Sequence, residues 1–441
     1  MSNIVTLFEY TSKKFEAGNQ DSYDKENDKL ILATETIEEL KKMSEKKVIE
    51  LKWNEIKALN YVGVIKAGDL TIEIFPKFLK KGKEDELKKI ASKNLLKMLE
   101  YTQRWKFKEI DYASLEKVEH DFFEILIYLF AKNLLSLLKV KKNYEYVRRW
   151  EELRFVKGRI DFARYTNPAR KHIIPCIHYE RSMDNLINRT LKYTCYLLLR
   201  TTKCSENRLM LRRILDILDG VTLAPITIQV VDRITFNRLN ADFKPFIDIC
   251  KLILEGSTLA LQASKIEIFS LMIPMETLFE EFIAGVIVEK GLHKDEAVFG
   301  KNAELLIQHR IGHLAEKNGK KLFEMIPDIV IKVDNEIKLI IDTKYKLLDP
   351  DRAKLDVSQQ DLYQIYAYCK ESGARKALLL YPANLVDIDE NQLKTPFRLG
   401  KSKDIEIYIR TVPLHYDLTN REQFSEFVEC LKDILEATAG G

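Results

Sequence analysis

Two aspartates and a lysine in the segment Met325–Lys346 are the residues of this sequence best suited to chemistry. Residues 329–341 separate Asp328 from Asp342, and Lys344 follows the second aspartate by two positions. Carboxylate oxygens are the donors that hard divalent cations prefer, and a nearby ammonium group stabilises negative charge that develops on a phosphate. The residue types therefore predict a metal-assisted site that hydrolyses phosphodiesters.

These side chains meet only if the segment folds back on itself. Two alternating apolar and polar runs flank Asp334-Asn335-Glu336, which predicts a β-hairpin with these three residues as its loop. The predicted cross-strand pairs are Val333 with Ile337, Val330 with Ile340 and Asp328 with Asp342. Alternation gives a core face with Ile329, Ile331, Val333, Ile337, Leu339 and Ile341. It gives a chemical face with Asp328, Lys332, Lys338, Asp342 and Lys344.

Two facing carboxylates favour a bound cation. Cross-strand neighbours lie about 4.5–5.5 Å apart at Cβ, so like charges repel and raise each other's pKa unless a cation separates them. We expect Mg²⁺, with Mn²⁺ as a substitute, bound by Asp328, Asp342 and a backbone carbonyl together with waters. Lys344 points to the same side and can orient water or steady charge on a phosphate. The alternative is a hairpin end with solvated, functionless carboxylates.

A predicted helix before the hairpin offers a third carboxylate. At 100° per residue, the helix Met275–Glu289 has its apolar residues on one face and Glu280 at the margin of that face. Glu280 can therefore lean toward the sheet. Glu276 shares that flank, and helix geometry alone does not choose between the two residues.

A second predicted helix follows the hairpin. It begins at a capping box, Ser358 to Asp361, and runs through Lys370. Asp361, Gln364 and Tyr368 fall on one stripe of this helix and are predicted to face the same groove. Beside a carboxylate hairpin such a stripe favours a nucleic-acid cleft, and an ordinary solvated stripe is the alternative.

Length and composition restrict the class of protein. The 441 residues are 46% hydrophobic with a net charge of only +4, which predicts an α/β multidomain protein without a globally basic surface. The six scattered cysteines fit reduced thiols. No signal peptide is recognisable, and the apolar run Phe122–Leu138 contains Glu124, Lys132 and Asn133. We therefore expect a buried helix there and a cytoplasmic protein.

Three domains are predicted along the chain. Residues 1–110 form a β-rich module, in which two alternating segments flank Ala67-Gly68-Asp69, followed by a helical pattern from Lys83 to Leu99. Residues 111–260 form a mainly helical middle region, and residues 261–441 a C-terminal α/β domain. We expect an assembly role for the first module, since none of its residue types points to catalysis.

The middle region carries a second candidate interface. Between Tyr144 and Arg170, arginines and lysines alternate with aromatic residues, a mixture suited to phosphate contacts or to packing on a partner. Glu180, Asp184 and Asn188 are explained more simply by helix capping and buried hydrogen bonds than by metal ligation. His309 and His313 have the spacing of helical zinc ligands, but Gly312 and the surrounding strand pattern argue against that reading.

An ordered series of segments resembles the McrC subunit family of modified-cytosine-dependent restriction systems. The series comprises NYVGVIKAGDLTIEIFPKF, VKGRIDF, YERSMDNLINRTLK, TFNRLNADFKPFIDICKLIL, METLFEEF, IPDIVI, IDTKYK and DLYQIYAY, and spans about residues 50 to 385. The Pro-Asp and Asp-Thr-Lys elements themselves resemble the PD-(D/E)XK nuclease signature. The resemblance therefore implies a C-terminal PD-(D/E)XK, restriction-endonuclease-like domain.

Residue roles follow from that resemblance. Asp328 and Asp342 match the metal ligands, with the Thr343 carbonyl beside them, and Lys344 matches the catalytic lysine. Glu280 matches the helix carboxylate, both catalytic and metal-binding. Gln364 and Tyr368 match the QxxxY element of RecB-like nucleases, which is implied to position the nucleic acid.

The same resemblance implies partners. The N-terminal region is expected to dock on a ring of a separate AAA+ GTPase, McrB, and to stimulate its hydrolysis, while double-stranded DNA is the substrate. Two alternatives stay open: a non-catalytic activator that retains the nuclease fold as a scaffold, and a stand-alone RecB-like repair nuclease. The intact Asp, Asp and Lys set argues against the first, and copurification with a ring-forming GTPase would exclude the second.

Overall fold

The computed structural model describes residues 3–45, 47–67, 70–77, 84–102, 122–165, 168–257, 268–349, 355–383, 393, 395–400 and 403–440. The chain divides into two compact units, one of Met1–Ser114 with Ala263–Gly441 and one of Leu115–Gln262. The three-domain division predicted above stays a prediction, because compactness does not test which segments fold independently. The fold is mixed α/β, with the β-rich N-terminal region that the sequence predicts.

The first unit begins with two sheets. Its first helix and strands are β1 (Asn3–Phe8), β2 (Ser12–Gly18), β3 (Ser22–Asp24), β4 (Lys29–Ala33), α1 (Thr34–Glu45), β5 (Ile49–Lys52), β6 (Glu55–Ala58), β7 (Tyr61–Ala67) and β8 (Leu70–Phe75). One sheet has the order β3-β4-β2-β6-β5. In the other, β7 and β8 form the predicted antiparallel pair, whose turn residues 68 and 69 lie outside the described residues.

The N-terminal sheet is completed by a strand from much later in the chain. β12 (Ile268–Pro274) pairs antiparallel with β7, giving the order β1-β8-β7-β12. Gly63 permits this close pairing, since a Cβ at this position would lie 1.9 Å from the Leu271 carbonyl oxygen. Likewise α2 (Glu84–Tyr101) packs on α8 (Met275–Glu289), where a Cβ on Gly285 would lie 2.1 Å from the Tyr101 carbonyl oxygen. Two glycines thus allow the separated segments to form one unit.

A six-stranded sheet carries the acidic hairpin. The remaining helices and strands of this unit are α9 (Glu296–Phe299), β13 (Ala303–Ile307), β14 (Gly312–Lys317), β15 (Lys320–Met325), β16 (Ile329–Val333), β17 (Glu336–Thr343), α10 (Gln359–Ser372), β18 (Lys376–Pro382), β19 (Phe397–Leu399), β20 (Ile405–Val412) and α11 (Arg421–Ala439). The strand order is β13-β16-β17-β18-β20-β19, and β14 pairs separately with β15. The α8 boundaries match the prediction, and Ser358 caps α10 as predicted, although this helix extends two residues beyond the predicted end at Lys370.

The hairpin register is correct away from its turn and wrong beside it. Val330 pairs with Ile340 as predicted, but Val333 pairs with Glu336 rather than Ile337. The loop is a two-residue turn of Asp334 and Asn335, with φ of 50° and 68°. Asp and Asn tolerate this left-handed conformation, which two-residue hairpin turns require. A β-bulge then shifts the pairing by one residue and restores the predicted register.

The face assigned to chemistry is polar only at its end. Val330 and Ile340 lie on the same face as the two aspartates, yet both are fully buried. Ile340 belongs to a core cluster with Ile365 of α10, and β17 pairs parallel with β18 in the interior of the sheet. A central strand is covered on both faces, so the prediction of one apolar face and one chemical face was wrong for the middle of the hairpin.

The second unit combines helices with a small sheet. Its helices are α3 (Phe122–Val140), α4 (Leu186–Thr201), α5 (Ser205–Ile217), α6 (Ile228–Val231) and α7 (Lys244–Ser257). Its antiparallel strands are β9 (Glu145–Leu153), β10 (Arg159–Ile160) and β11 (Ile174–Ser182), in the order β10-β11-β9. The apolar run Phe122–Leu138 is a buried helix, as predicted. Within the described ranges, no helix is long and apolar enough to cross a membrane.

Candidate active site

The two aspartates lie at the same end of the hairpin. Ile329 pairs with Ile341, so Asp328, just before β16, stands across from Asp342 in β17. The Asp342 side chain is 1% exposed, and Asp328 is partly buried. The predicted juxtaposition of two carboxylates at this end of the sheet is therefore present.

Thr343 holds Asp328 in place. Its backbone N–H and its hydroxyl both donate to Asp328 Oδ2, each at 2.7 Å. The sequence predicts only the Thr343 carbonyl as a metal ligand and does not reveal this double donation. A hydroxyl residue directly after the second acid was the available signal, because its hydroxyl and its backbone N–H can both donate to a carboxylate at the start of the neighbouring strand.

Lys344 reaches back to the acids from the end of β17. Its ammonium group is 2.5 Å from Asp342 Oδ2 and also donates to Gln364 Oε1 at 3.2 Å. Its backbone N–H donates to the Leu380 carbonyl at 2.8 Å, which continues the pairing of β17 with β18. The side chain is only 17% exposed, so the cation is fixed by the sheet and by both contacts.

The predicted polar stripe on α10 contacts Lys344 through Gln364. Gln364 Nε2 donates to the Tyr368 hydroxyl at 2.8 Å, and that hydroxyl donates to the Ile326 carbonyl at 3.4 Å. Asp361 instead pairs with Lys346 at 3.0 Å. The stripe therefore divides into Gln364 and Tyr368 beside Lys344 and a separate ion pair at Asp361. The predicted contact of Gln364 and Tyr368 with nucleic acid stays a prediction.

The two carboxylates are held in an unfavourable electrostatic state. Burial and the Glu280 charge raise the pKa of Asp328, while the Thr343 donors and Lys344 only partly offset them. Burial and the facing Asp328 raise the pKa of Asp342, which Lys344 partly counteracts. Burial alone would lower the pKa of Lys344, but the Asp342 charge raises it, so the lysine stays cationic. One ammonium group thus faces two carboxylates that repel each other.

Glu280 is the acidic residue of α8 that faces the hairpin. It accepts a hydrogen bond from Gln308 Nε2, and its charge acts on Asp328. Glu276 is exposed, and its charge acts on Tyr10 of the N-terminal segment. The choice that helix geometry left open therefore falls on Glu280. Gln308, which the sequence analysis did not single out, lies between Glu280 and Asp328.

The donor chemistry fits a hard divalent cation held by two carboxylates. Asp342 Oδ2 is buried, and among the described residues its contact is the ion pair with Lys344, without a further hydrogen bond. Across the parts of the chain that the structure describes, no three His, Cys, Asp or Glu side chains lie close enough to hold one metal ion. Asp328 and Asp342 are thus a pair, with Glu280 outside it. Mg²⁺ is commonly held by one or two carboxylates and waters.

The alternative metal sites weighed from the sequence are not formed. His313 lies in β14 and His309 precedes that strand, so the two histidines do not share a helix. Asn185 caps α4, and Asp184 pairs with Arg189 at 2.6 Å, which lowers the Asp184 pKa. Asn188 donates to the Asn143 and Met183 carbonyls, so hydrogen bonding explains this set, as expected.

The basic and aromatic segment contains the largely exposed strand β9 and the short strand β10, which both pair with β11. Acidic residues of the same sheet lie close to two of these arginines: Arg149 lies 3.7 Å from Glu180, and Arg170 lies 3.2 Å from Glu152. Arg164 stacks over the Trp150 ring at 4.4 Å. These contacts favour neither phosphate binding nor protein packing, and both readings stay predictions.

Comparison with known proteins gives concordant matches. Residues 56–382 match a sequence family described as McrBC 5-methylcytosine restriction system component. The type IV methyl-directed restriction enzyme EcoKMcrBC of Escherichia coli strain K12 is 23% identical over 308 residues, 66% of this chain and 86% of that relative. A refined half-complex from a tetradecameric assembly of Thermococcus gammatolerans McrB AAA+ hexamers with bound McrC has a TM-score of 0.65 at 22% identity. It covers 98% of this chain and 100% of the matched chain, and at this identity it establishes the fold alone.

Proposed function

The chain belongs to the family of McrBC 5-methylcytosine restriction system components, and from this premise we propose that it is the nuclease subunit of such a system. Its reaction is the Mg²⁺-dependent hydrolysis of phosphodiesters in double-stranded DNA. Its C-terminal part is a PD-(D/E)XK domain, and it works in the cytoplasm. The observation that carries the proposal is the pairing of the partly buried Asp328 with the buried Asp342, with Lys344 2.5 Å from Asp342.

The arrangement has the properties of a reaction site rather than of a structural ion pair. A structural pair matches one acid with one base, whereas here two carboxylates with raised pKa values share a single ammonium group. Such a cluster costs stability unless another cation binds, and perturbed carboxylates of this kind gather at functional sites. Thr343 and residues of α10 hold the carboxylates and the ammonium group in place despite this loss of stability.

Asp328, Asp342 and the Thr343 carbonyl are the groups that would hold Mg²⁺, with Glu280 approaching from α8. The bound metal would lower the pKa of a coordinated water and withdraw charge from the phosphate. Lys344 remains protonated beside Asp342, where it stabilises charge on the phosphate or orients the water. Gln364 and Tyr368 keep its ammonium group on the acidic side of the sheet and position the DNA strand.

A ring-forming AAA+ GTPase related to McrB is the proposed partner. The fold matches a chain from an assembly in which McrC is bound to McrB AAA+ hexamers. We assign docking on that ring and stimulation of its GTP hydrolysis to the N-terminal module, residues 1–110. Target choice would then depend on the complex, and the nuclease site would cut only in its context.

Cleavage of methylated and unmethylated duplex DNA, with and without the GTPase partner, tests the proposal. Wild type should cut methylated DNA in the presence of Mg²⁺ and the partner, while Asp342→Ala and Lys344→Ala should assemble normally without cutting. Lys338→Ala is the matched control, because this exposed lysine of the same hairpin forms a surface ion pair with Glu336 at 2.9 Å. A wild-type protein that assembles and stimulates GTP hydrolysis but never cuts would support the activator alternative.

A further inference from the structure

Gln308 occupies a position that connects the sheet to α8. It follows the last residue of β13, whose Ile307 pairs with Ile329. Its backbone N–H donates to the carbonyl of Asp328 at 2.9 Å, so the pairing of β13 with β16 extends to the first metal-ligand candidate. From there its side chain reaches Glu280, to which Nε2 donates.

The backbone at Gln308 adopts a conformation that its residue type does not favour. Its φ is +49°, in the left-handed region. Asp334 and Asn335 share that region, but they belong to a hairpin turn and to the residue types that tolerate it. Glutamine has no such tolerance, and glycine could make the same backbone hydrogen bond without strain. Strained residues persist where the surroundings fix them, often at reaction sites.

The contact made by the Gln308 side chain indicates the purpose of this strained backbone conformation. Gln308 is exposed, so burial does not account for its orientation. Glu280 is the carboxylate whose charge acts on Asp328, and one of its oxygens accepts from the Gln308 amide. A neutral amide donor fixes a carboxylate without cancelling its charge, so Glu280 keeps the negative charge that acts on Asp328.

We propose that Gln308 is a positioning residue, which holds Glu280 toward Asp328 so that this carboxylate joins the Asp328–Asp342 pair when Mg²⁺ binds. The inference rests on the proposed function and adds a residue to its site. Without the amide, Glu280 loses this restraint toward Asp328, and Mg²⁺ is held mainly by the two aspartates. Outer partners of metal ligands typically contribute about 10- to 100-fold in metal affinity, and a loss of this size is expected here.

Three substitutions distinguish the effect of the Gln308 side chain from the effects of its backbone conformation and of the adjacent residue. Gln308→Ala removes the amide and keeps a strained residue, whereas Gln308→Gly removes the amide and relieves the strain. His309→Ala changes the adjacent exposed residue and is the control. Mg²⁺ affinity of the full-length protein, measured by titration calorimetry without DNA, should fall by about tenfold or more in both Gln308 variants and stay unchanged in His309→Ala. The melting temperature should be higher for Gln308→Gly than for Gln308→Ala.

A double variant tests whether Gln308 acts through Glu280. If it does, Gln308→Gly combined with Glu280→Gln should bind Mg²⁺ no more weakly than Glu280→Gln alone. Additive losses, or wild-type affinity in both Gln308 variants while Asp342→Ala still abolishes binding, would overturn the inference and leave the proposed function intact. Absence of Mg²⁺ binding by the wild-type protein would instead overturn the proposed function, and the inference with it.

Discussion

Two clusters of charged residues contain neighbouring residues of the chain that follow β17. Lys344 points to the Asp328–Asp342 pair, while Tyr345 points to a cluster with Glu9 and Lys77 from the N-terminal segment of the same unit. Glu9 Oε2 accepts from the Tyr345 hydroxyl at 2.6 Å and from the Lys77 backbone N–H at 3.0 Å. The Lys77 ammonium donates to the Tyr345 carbonyl at 2.8 Å and lies 4.2 Å from the Tyr345 ring centroid.

The two clusters differ in how charge is matched. The Glu9, Lys77 and Tyr345 cluster sets one acid against one base with several hydrogen bonds between them, as expected of groups that join two chain segments. The Asp328, Asp342 and Lys344 cluster has two acids for one base, and Lys344 pairs directly with only one of them, Asp342. We therefore expect the first cluster to stabilise the fold and the second to take part in the proposed reaction.

The largest expected effect comes from Asp342→Asn, which removes one of the two repelling charges. Cleavage should fall on the order of 10³-fold, because a group that acts at the reacting phosphate is lost. The melting temperature should stay equal to or rise above that of wild type, since a buried repulsion disappears. Glu336→Gln, at an exposed position on the same hairpin, is the control for both measurements. A marked loss of stability would mean that the acid pair is structural.

Lys77→Met should have the opposite profile. It keeps the aliphatic stem but removes a cation that is 7% exposed and lies near the fully buried Glu9. Breaking a buried charge arrangement costs about 3 kcal/mol in unfolding free energy, whereas Lys338→Met on the surface should cost less than about 0.5 kcal/mol. Denaturant titrations would measure both. Lys77→Met protein that folds should still cleave DNA. Loss of cleavage at unchanged stability would contradict the assignment of different roles to the two clusters.

The pH dependence of stability provides a further test of the repulsion within the acid pair. Because the Asp328 and Asp342 pKa values are raised in the folded state, their contribution is most favourable at low pH. It is lost as the pH rises from the usual carboxyl value of about 3.9 through the raised values. Metal-free wild type should therefore lose stability relative to Asp342→Asn over this range. Mg²⁺, which binds the ionised pair, should remove the difference. Parallel pH profiles of the two melting temperatures without metal would contradict this.

The smallest effect is expected for Tyr368→Phe. This variant deletes the hydroxyl between Gln364 and the Ile326 carbonyl but leaves the Lys344–Asp342 ion pair in place. Lys344 should lose some of its fixation, and cleavage should fall by less than about tenfold with little change in stability. Tyr363→Phe, at an exposed position of the same helix, is the control. Steady-state cleavage rates would show whether the two variants differ.

The sequence predicts the acid pair because one correctly paired position in a hairpin fixes the pairing of the positions farther along its two strands. Val330 and Ile340 fix the register of the site end, and the bulge near the turn does not disturb it. Turn length was misjudged because Glu336 is polar like a loop residue yet pairs with Val333. Thr343 and Gln308 were missed since their roles depend on hydrogen bonds that no periodicity reveals.

Other features of the fold depend on contacts between distant segments. The pairing of β12 with β7 joins strands that flank the entire middle unit, and local patterns contain no trace of it. The β9 strand escaped detection because its exposed residues do not alternate with buried ones. Helices α8 and α10, by contrast, were predicted well, since capping and apolar spacing are local signals.

The central claim is that Asp328 and Asp342 together bind the divalent cation of a nuclease. Anomalous diffraction from a crystal soaked in Mn²⁺ tests it most directly, with Asp342→Asn crystals as the reference. We expect a peak in contact with both carboxylates in the wild type and none at this position in the variant. An empty site in wild-type crystals at a Mn²⁺ concentration that supports cleavage, or a peak bound elsewhere in the chain, would contradict it.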